Sequence, residues 1–174
     1  LLSDMYEAYQ ENHVKQYFVG TVVVYKSRSK LEVIDGQQRL TTFFIMICAL
    51  RSIYRSEDEN DEFLRKLIYS STMDDNGDTV NAYHLELQYT DATGCLEKIF
   101  NEKTDSNKED LTASEKRLFD AYESIRTSLC SEYTGIAELK KFAAFLLRKI
   151  LFVQIETKDM SDALKIFETI NQRG

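Results

Sequence analysis

The stretch Leu31–Leu50, LEVIDGQQRLTTFFIMICAL, constrains the fold more than any other part of the chain. Leu31 to Ile34 suit a strand. They run into Asp35-Gly36-Gln37-Gln38-Arg39, after which apolar side chains recur at Leu40, Phe43, Phe44, Ile47, Leu50 and Ile53, one to two helical turns apart. A strand, a tight polar turn and a buried helix are therefore predicted. Gly36 lets the backbone turn closely, and the first N–H groups of a helix have no intrahelical partner, so an anion can sit there without a basic pocket. Arg39, in the first turn, is able to fork onto a phosphate presented there. The same residues also fit a capping box, with Asp35 accepting from the helix N–H groups and Gln38 reaching back. Capping alone requires neither a second Gln nor Arg39. Gln37 to Arg39 are thus expected to open the helix and face a cleft, with Phe43, Phe44, Ile47 and Leu50 in the core.

The chain of 174 residues is long enough for one domain with a real core, or for one domain carrying a helical appendage. The apolar run Phe43 to Leu50 is far too short to span a bilayer, and nothing near the N-terminus resembles a signal peptide, so the expected address is the cytoplasm and no membrane partner is expected. Cys48, Cys95 and Cys130 are odd in number, widely spaced and set among apolar neighbours, which predicts buried reduced thiols. A net charge of −7 makes the chain as a whole repel a nucleic-acid backbone, so any DNA contact must be local. The chain has no Pro and no Trp, starts on Leu and stops in Asn171-Gln172-Arg173-Gly174, and it reads as a fragment of a longer protein.

In order, Leu1 to Asn12 reads as a helix on Leu2, Met5, Tyr6 and Tyr9, and Gln16 to Tyr25 as a strand in which Gly20 marks a bulge or a close approach. Lys26-Ser27-Arg28-Ser29-Lys30 closes a hairpin with three cations at its tip, which could touch phosphate but are read as a solvated turn. The acidic run Ser56–Glu62 reads as a solvated linker leading to a helix near Asp61. Asp74-Asp75-Asn76-Gly77-Asp78, between β-type runs, signals a second hairpin. Asp91 to Asn101, Thr112 to Tyr133 and Ile136 to Leu147 read as helices, Lys149 to Glu156 as a strand, and Ala163 to about Ile170 as a last helix. His13 and His84 show no catalytic or metal-ligand spacing, and no metal site is expected.

Three phrases, Tyr17-Phe18-Val19-Gly20-Thr21-Val22-Val23, Asp35-Gly36-Gln37-Gln38-Arg39-Leu40-Thr41-Thr42 and Ile166-Phe167-Glu168-Thr169-Ile170-Asn171-Gln172-Arg173-Gly174, resemble the N-terminal domain of the GmrSD-type, modification-dependent restriction endonucleases. That family belongs to bacterial phage defence and is similar to the ParB/sulfiredoxin-like fold. The resemblance implies an α+β fold: a small β-sheet with hairpins around a buried central helix and a mainly helical second half. It divides the chain into a ParB-like core at 1–90, a helical insertion or subdomain at 91–148, and a return strand and helix at 149–174. It implies a nucleoside triphosphate, with Mg2+, at Gly36, Gln37, Gln38, Arg39, Asn171 and Arg173, with catalytic roles for Asp35 and Arg39. The family's Pro-, Gln-Arg- and Trp-bearing opening strand and its C-terminal HNH nuclease domain are absent from the sequence, so this stretch is expected to be inactive alone and to meet DNA through the full-length protein. A non-catalytic module that recognises DNA or a partner chain with the same pocket is the competing expectation.

Overall fold

The computed structural model describes residues 1–11, 16–27, 30–87, 92, 94–103 and 110–172. Among these, the elements alternate as α1 (Leu2–Gln10), β1 (Tyr17–Ser27), β2 (Lys30–Asp35), α2 (Gln37–Ser56), α3 (Glu62–Ile68), β3 (Tyr69–Met73), β4 (Thr79–Tyr83), α4 (Cys95–Phe100), α5 (Ala113–Glu132), α6 (Ile136–Lys149), β5 (Ile150–Thr157) and α7 (Met160–Asn171). The fold is α+β. It separates into two units, residues 1–40 with 141–174, and residues 41–140.

The first unit is built on a three-stranded sheet in the order β2-β1-β5. β1 runs antiparallel to β2 and parallel to β5, with a register irregularity between Phe18 and Gly20 on one side and between Val23 and Val24 on the other. Val22, Val23 and Val24 are buried at the middle of the central strand, where β-branched side chains suit a pleated surface covered on both faces. α7 packs against all three strands and buries Ala163 completely. It starts earlier than its apolar pattern indicates. Asp159 accepts from the Asp162 N–H at 3.0 Å and so nucleates the first turn at Met160. Met5 and Ala8 of α1, with Phe142, Ala143 and Leu146 of α6, complete the unit's buried apolar side chains among the described residues, and Tyr9 meets Phe142 edge-on at 5.5 Å.

The second unit takes most of α2 and its surrounding helices. Its buried residues include Ile45, Met46, Ala49, Leu50, Leu64, Ile68, Ile99, Phe119, Tyr122 and Leu129. Of the four residues of α2 expected in the core, Phe44 and Leu50 are buried and Phe43 and Ile47 half-buried, and the helix also buries Ile45, Met46, Cys48, Ala49, Ser52 and Ile53. A helix apolar nearly all round has no single inner face, so spacing alone cannot choose one. The acidic run is also more than a linker. Asp61 pairs with Arg51 at 2.7 Å and Glu59 with Lys140 at 2.6 Å, while Glu62 stands in the first turn of α3. Thr112 and Glu115 form a reciprocal capping box that opens α5. Cys48 and Cys95 are buried, and burial pushes the Cys95 thiol up to about 11. Cys130 corrects the expectation of three buried thiols. It lies exposed on α5, one residue after the buried Leu129.

Candidate functional site

β2 ends at Asp35 and α2 begins at Gln37, so the whole change of direction falls on Gly36. Its φ of +92° lies in the left-handed region, and its carbonyl accepts the first helical hydrogen bond, from Leu40 N–H at 3.0 Å. Space matters as much as conformation. A Cβ at Gly36 would stand 3.0 Å from Val22 Cγ2 and 3.3 Å from the Thr21 carbonyl, so the turn is pressed against the central strand.

Gln37 and Gln38 are exposed at the start of α2, and Gln37 Nε2 donates to the Val33 carbonyl at 2.7 Å, tying the helix back to β2. Arg39 is one-third exposed. Its guanidinium donates through Nη1 to the Thr21 carbonyl, and Nη2 lies 3.6 Å from Asp35 Oδ2. The same guanidinium lies over Gly20, where an added Cβ would come within 2.9 Å of Nη1. Gly20, with φ of +131°, was expected to mark either a bulge or a close approach; it does both, since the β1–β5 register shifts beside it and Arg39 occupies the space a side chain would take.

Asp35, Gly36 and Arg39 therefore converge with Gly20 and Thr21 on one face of β1. Thr21 is the member that sequence reasoning missed, because it contributes a backbone carbonyl and any residue type supplies one. At the other end of the chain, Asn171 closes α7, the helix packed on the same three strands. The Asn171 side chain and the residues Arg173 and Gly174 lie outside the described residues, as do His13 and Arg28. His84 is exposed, with Nδ1 2.9 Å from the Leu67 carbonyl, which is a strand-end contact. Among the described residues no group of three or more His, Cys, Asp or Glu side chains could hold a metal ion, and no helix is long and apolar enough to cross a membrane.

The family model described as the GmrSD restriction endonuclease N-terminal domain matches residues 1–174, from end to end. The chain belongs to that family. Comparison with curated proteins finds no match. In this GmrSD N-terminal domain, two of the three phrases quoted above meet physically, through Arg39 lying over Gly20 and Gly36 lying against Val22. Residues that are uninformative singly, two glycines and an arginine, are here mutually dependent: each glycine leaves room for what the other phrase brings.

Proposed function

We propose that this domain is the nucleotide-binding, sensing part of an NTP-dependent, modification-dependent restriction endonuclease of phage defence, with the phosphate chain seated at residues 35–39. The observation that carries this reading is the turn itself. A glycine-enforced strand-to-helix junction opens a helix of 20 residues, Gln37 and Gln38 are exposed at its first turn, and a guanidinium stands beside them. The N–H groups of a helix's first turn and the helix dipole favour an anion there, and Arg39 adds a charge able to fork onto phosphate oxygens. In this reading Gly36 admits the phosphates, Gln37 and Gln38 bind them, and Asp35 orients Arg39 through their ion pair. Asp35 and Arg39 are the residues assigned to catalysis. Mg2+ would enter with the nucleotide and supply charge neutralisation at the phosphates.

The course of α7 supports a contribution from Asn171 and Arg173. β5 ends in register with Tyr25, two residues before the helix, and the helix packs on all three strands of the sheet. Its 12 residues span roughly 18 Å at about 1.5 Å each, which is the length of five or so strand residues at about 3.3 Å each. Counted back from Tyr25, that reaches the level of Gly20, where Arg39 lies.

The bonds of Arg39 favour a second reading, in which it is a clasp that fixes the start of α2 to β1 and the domain recognises DNA or a partner chain without nucleotide chemistry. Calorimetry and thermal melting with ATP and GTP separate the two. Arg39→Ala is expected to lower nucleotide affinity at least tenfold and to abolish most of the nucleotide-induced rise in melting temperature, since binding to the native state stabilises it by mass action. A variant that melts earlier but keeps the full nucleotide-induced shift would leave only the clasp. The domain name carries the DNA substrate of the full-length enzyme.

A further inference from the structure

The tip of the β1–β2 hairpin gathers positive charge in a chain whose net charge is −7. Lys26, Arg28 and Lys30 fall within five residues, and across the hairpin Lys26 pairs with Leu31 and Ser27 with Lys30. β5 adds a cation that the hairpin does not supply. Tyr25 is in register with Thr157 in the parallel pair; Lys26 follows in β1, and Lys158 follows just past the end of β5. Together with Glu156 and Thr157 they line an open recess of ≈ 500 Å³.

The pairing of these two lysines differs from that of four others. Lys66, Lys98, Lys140 and Lys165 are each held by a carboxylate within 3.2 Å. Among the described residues neither Lys26 nor Lys158 is in an ion pair, and the acid of the recess, Glu156, accepts from Gln154 Nε2 at 3.5 Å. The backbone beneath Lys158 is fixed, because Thr157 Oγ1 lies 3.3 Å from the Val24 carbonyl and 2.9 Å from that of Asp159.

We propose that this recess is a contact for the DNA backbone, with Lys26 and Lys158 neutralising phosphates of a duplex. Two uncommitted ammonium groups on an open surface suit a polyanion that passes across it, whereas small ligands are held in enclosed, largely apolar pockets. Lysine presents a point charge, which positions a backbone without reading sequence. The site is separate from the 35–39 turn. Lys26 is registered with Leu31, and Asp35 lies four residues further along β2, roughly 13 Å at about 3.3 Å per residue.

The test is fluorescence anisotropy of a labelled DNA duplex titrated with this protein over a series of salt concentrations. Lys26→Gln and Lys158→Gln are each expected to weaken binding several-fold, equally for unrelated duplex sequences, and to reduce the slope of log K against log salt by about 1, the double variant by about 2. Lys140→Gln and Lys165→Gln remove the same charge elsewhere and should leave the slope unchanged. ATP affinity should be unaltered in the Lys26/Lys158 double variant, so this proposal and the reading of the 35–39 turn fail separately. Absence of duplex binding by the unaltered protein at low salt, an unchanged slope in the double variant, an equal loss in the control variants, or a loss of ATP affinity in the double variant would each overturn it.

Discussion

The two hairpins of this molecule both join β-type runs through a short polar turn and end in different situations. β1 and β2 are joined by β5 and covered by α7, and Val22, Val23 and Val24 at their centre are 5%, 0% and 3% exposed. β3 and β4 form a two-stranded sheet in which Met73 and Val80 are 76% and 45% exposed. Both use glycines with positive φ. Gly77, at +85°, serves the turn alone, and an added Cβ there would meet nothing within 4 Å. Gly36 and Gly20 serve a turn and a bulge, but each also yields its side-chain volume to a neighbour from a distant segment. Turn chemistry makes a hairpin; long-range packing decides whether its glycines can help hold a functional group in place.

The largest effect is therefore expected at Gly36. Gly36→Ala combines left-handed strain with overpacking against Val22 and Thr21, each worth about 1–3 kcal/mol, for a loss of about 3 kcal/mol. Gly77→Ala suffers strain alone and should lose about 1 kcal/mol. Chemical denaturation of the two variants measures the difference. Equal losses would mean that the neighbours of Gly36 yield freely and that the contrast between the hairpins is conformational only.

How far the sequence discloses this arrangement depends on how local each determinant is. The Leu31–Ile34 strand, the break at Gly36 and the helix from Gln37 follow from adjacent residues, as does the second hairpin, where Asp74 Oδ1 accepts from the Asn76 and Asp78 N–H groups. The Thr112 cap is equally local. The buried face of α2 was legible only in part: Phe44 and Leu50 were expected there, but Ile45, Met46 and Ala49 alternate with apolar residues that are themselves partly buried. The exposure of Cys130 escaped for a related reason, since neighbours in sequence on a helix point different ways. At the site, Gly20 could be marked as a point of close approach, but not that Arg39 is what approaches, 19 residues later. The neighbour of Lys26 is harder still: Lys158 reaches it only through the parallel pairing of β5, which no local pattern encodes.

A smaller effect is expected where the second hairpin is anchored. Tyr69 and Tyr83 are registered partners with ring centroids 5.3 Å apart, and both meet Phe100 of α4, at 5.6 and 5.5 Å. The pair is worth about 1 kcal/mol beyond its buried area. Tyr69→Leu should thus lower stability by about that amount while leaving nucleotide and DNA binding unchanged, as the hairpin lies in the unit that carries neither candidate site. A loss as large as that at Gly36 would show that the second hairpin is as deeply committed to its surroundings as the first.

The smallest effect distinguishes the hairpins by pH. The first hairpin's cross-strand pair is polar: Tyr25 and Glu32 are registered partners, and the phenol donates to Glu32 Oε2 at 2.6 Å. That bond, followed by one from Ser27, holds the Glu32 carboxyl below its ordinary range, and it raises the Tyr25 phenol. A lowered acid contributes stability that is present above its unfolded value, about 4.3, and is lost as pH falls through the folded value. For Tyr25 the contribution is present below about 10 and lost as pH rises. The bond therefore spans the neutral range and weakens at both ends, and because the pair is open to solvent the change should be slight. The Tyr69–Tyr83 contact is made by the rings themselves and does not depend on an ionised carboxylate, so acid should leave it alone. Hydrogen-exchange protection, corrected for intrinsic rates, should fall on acidification at the amides of β1 and β2 near the Tyr25–Glu32 pair and stay level at those of β3 and β4 near Tyr69 and Tyr83, away from the Asp74 turn. Glu32→Gln keeps an acceptor for Tyr25 but cannot titrate, and it should abolish the acid-side fall. An undiminished fall in that variant would place its origin in another carboxylate and remove the polar pair from the list of what separates the two hairpins.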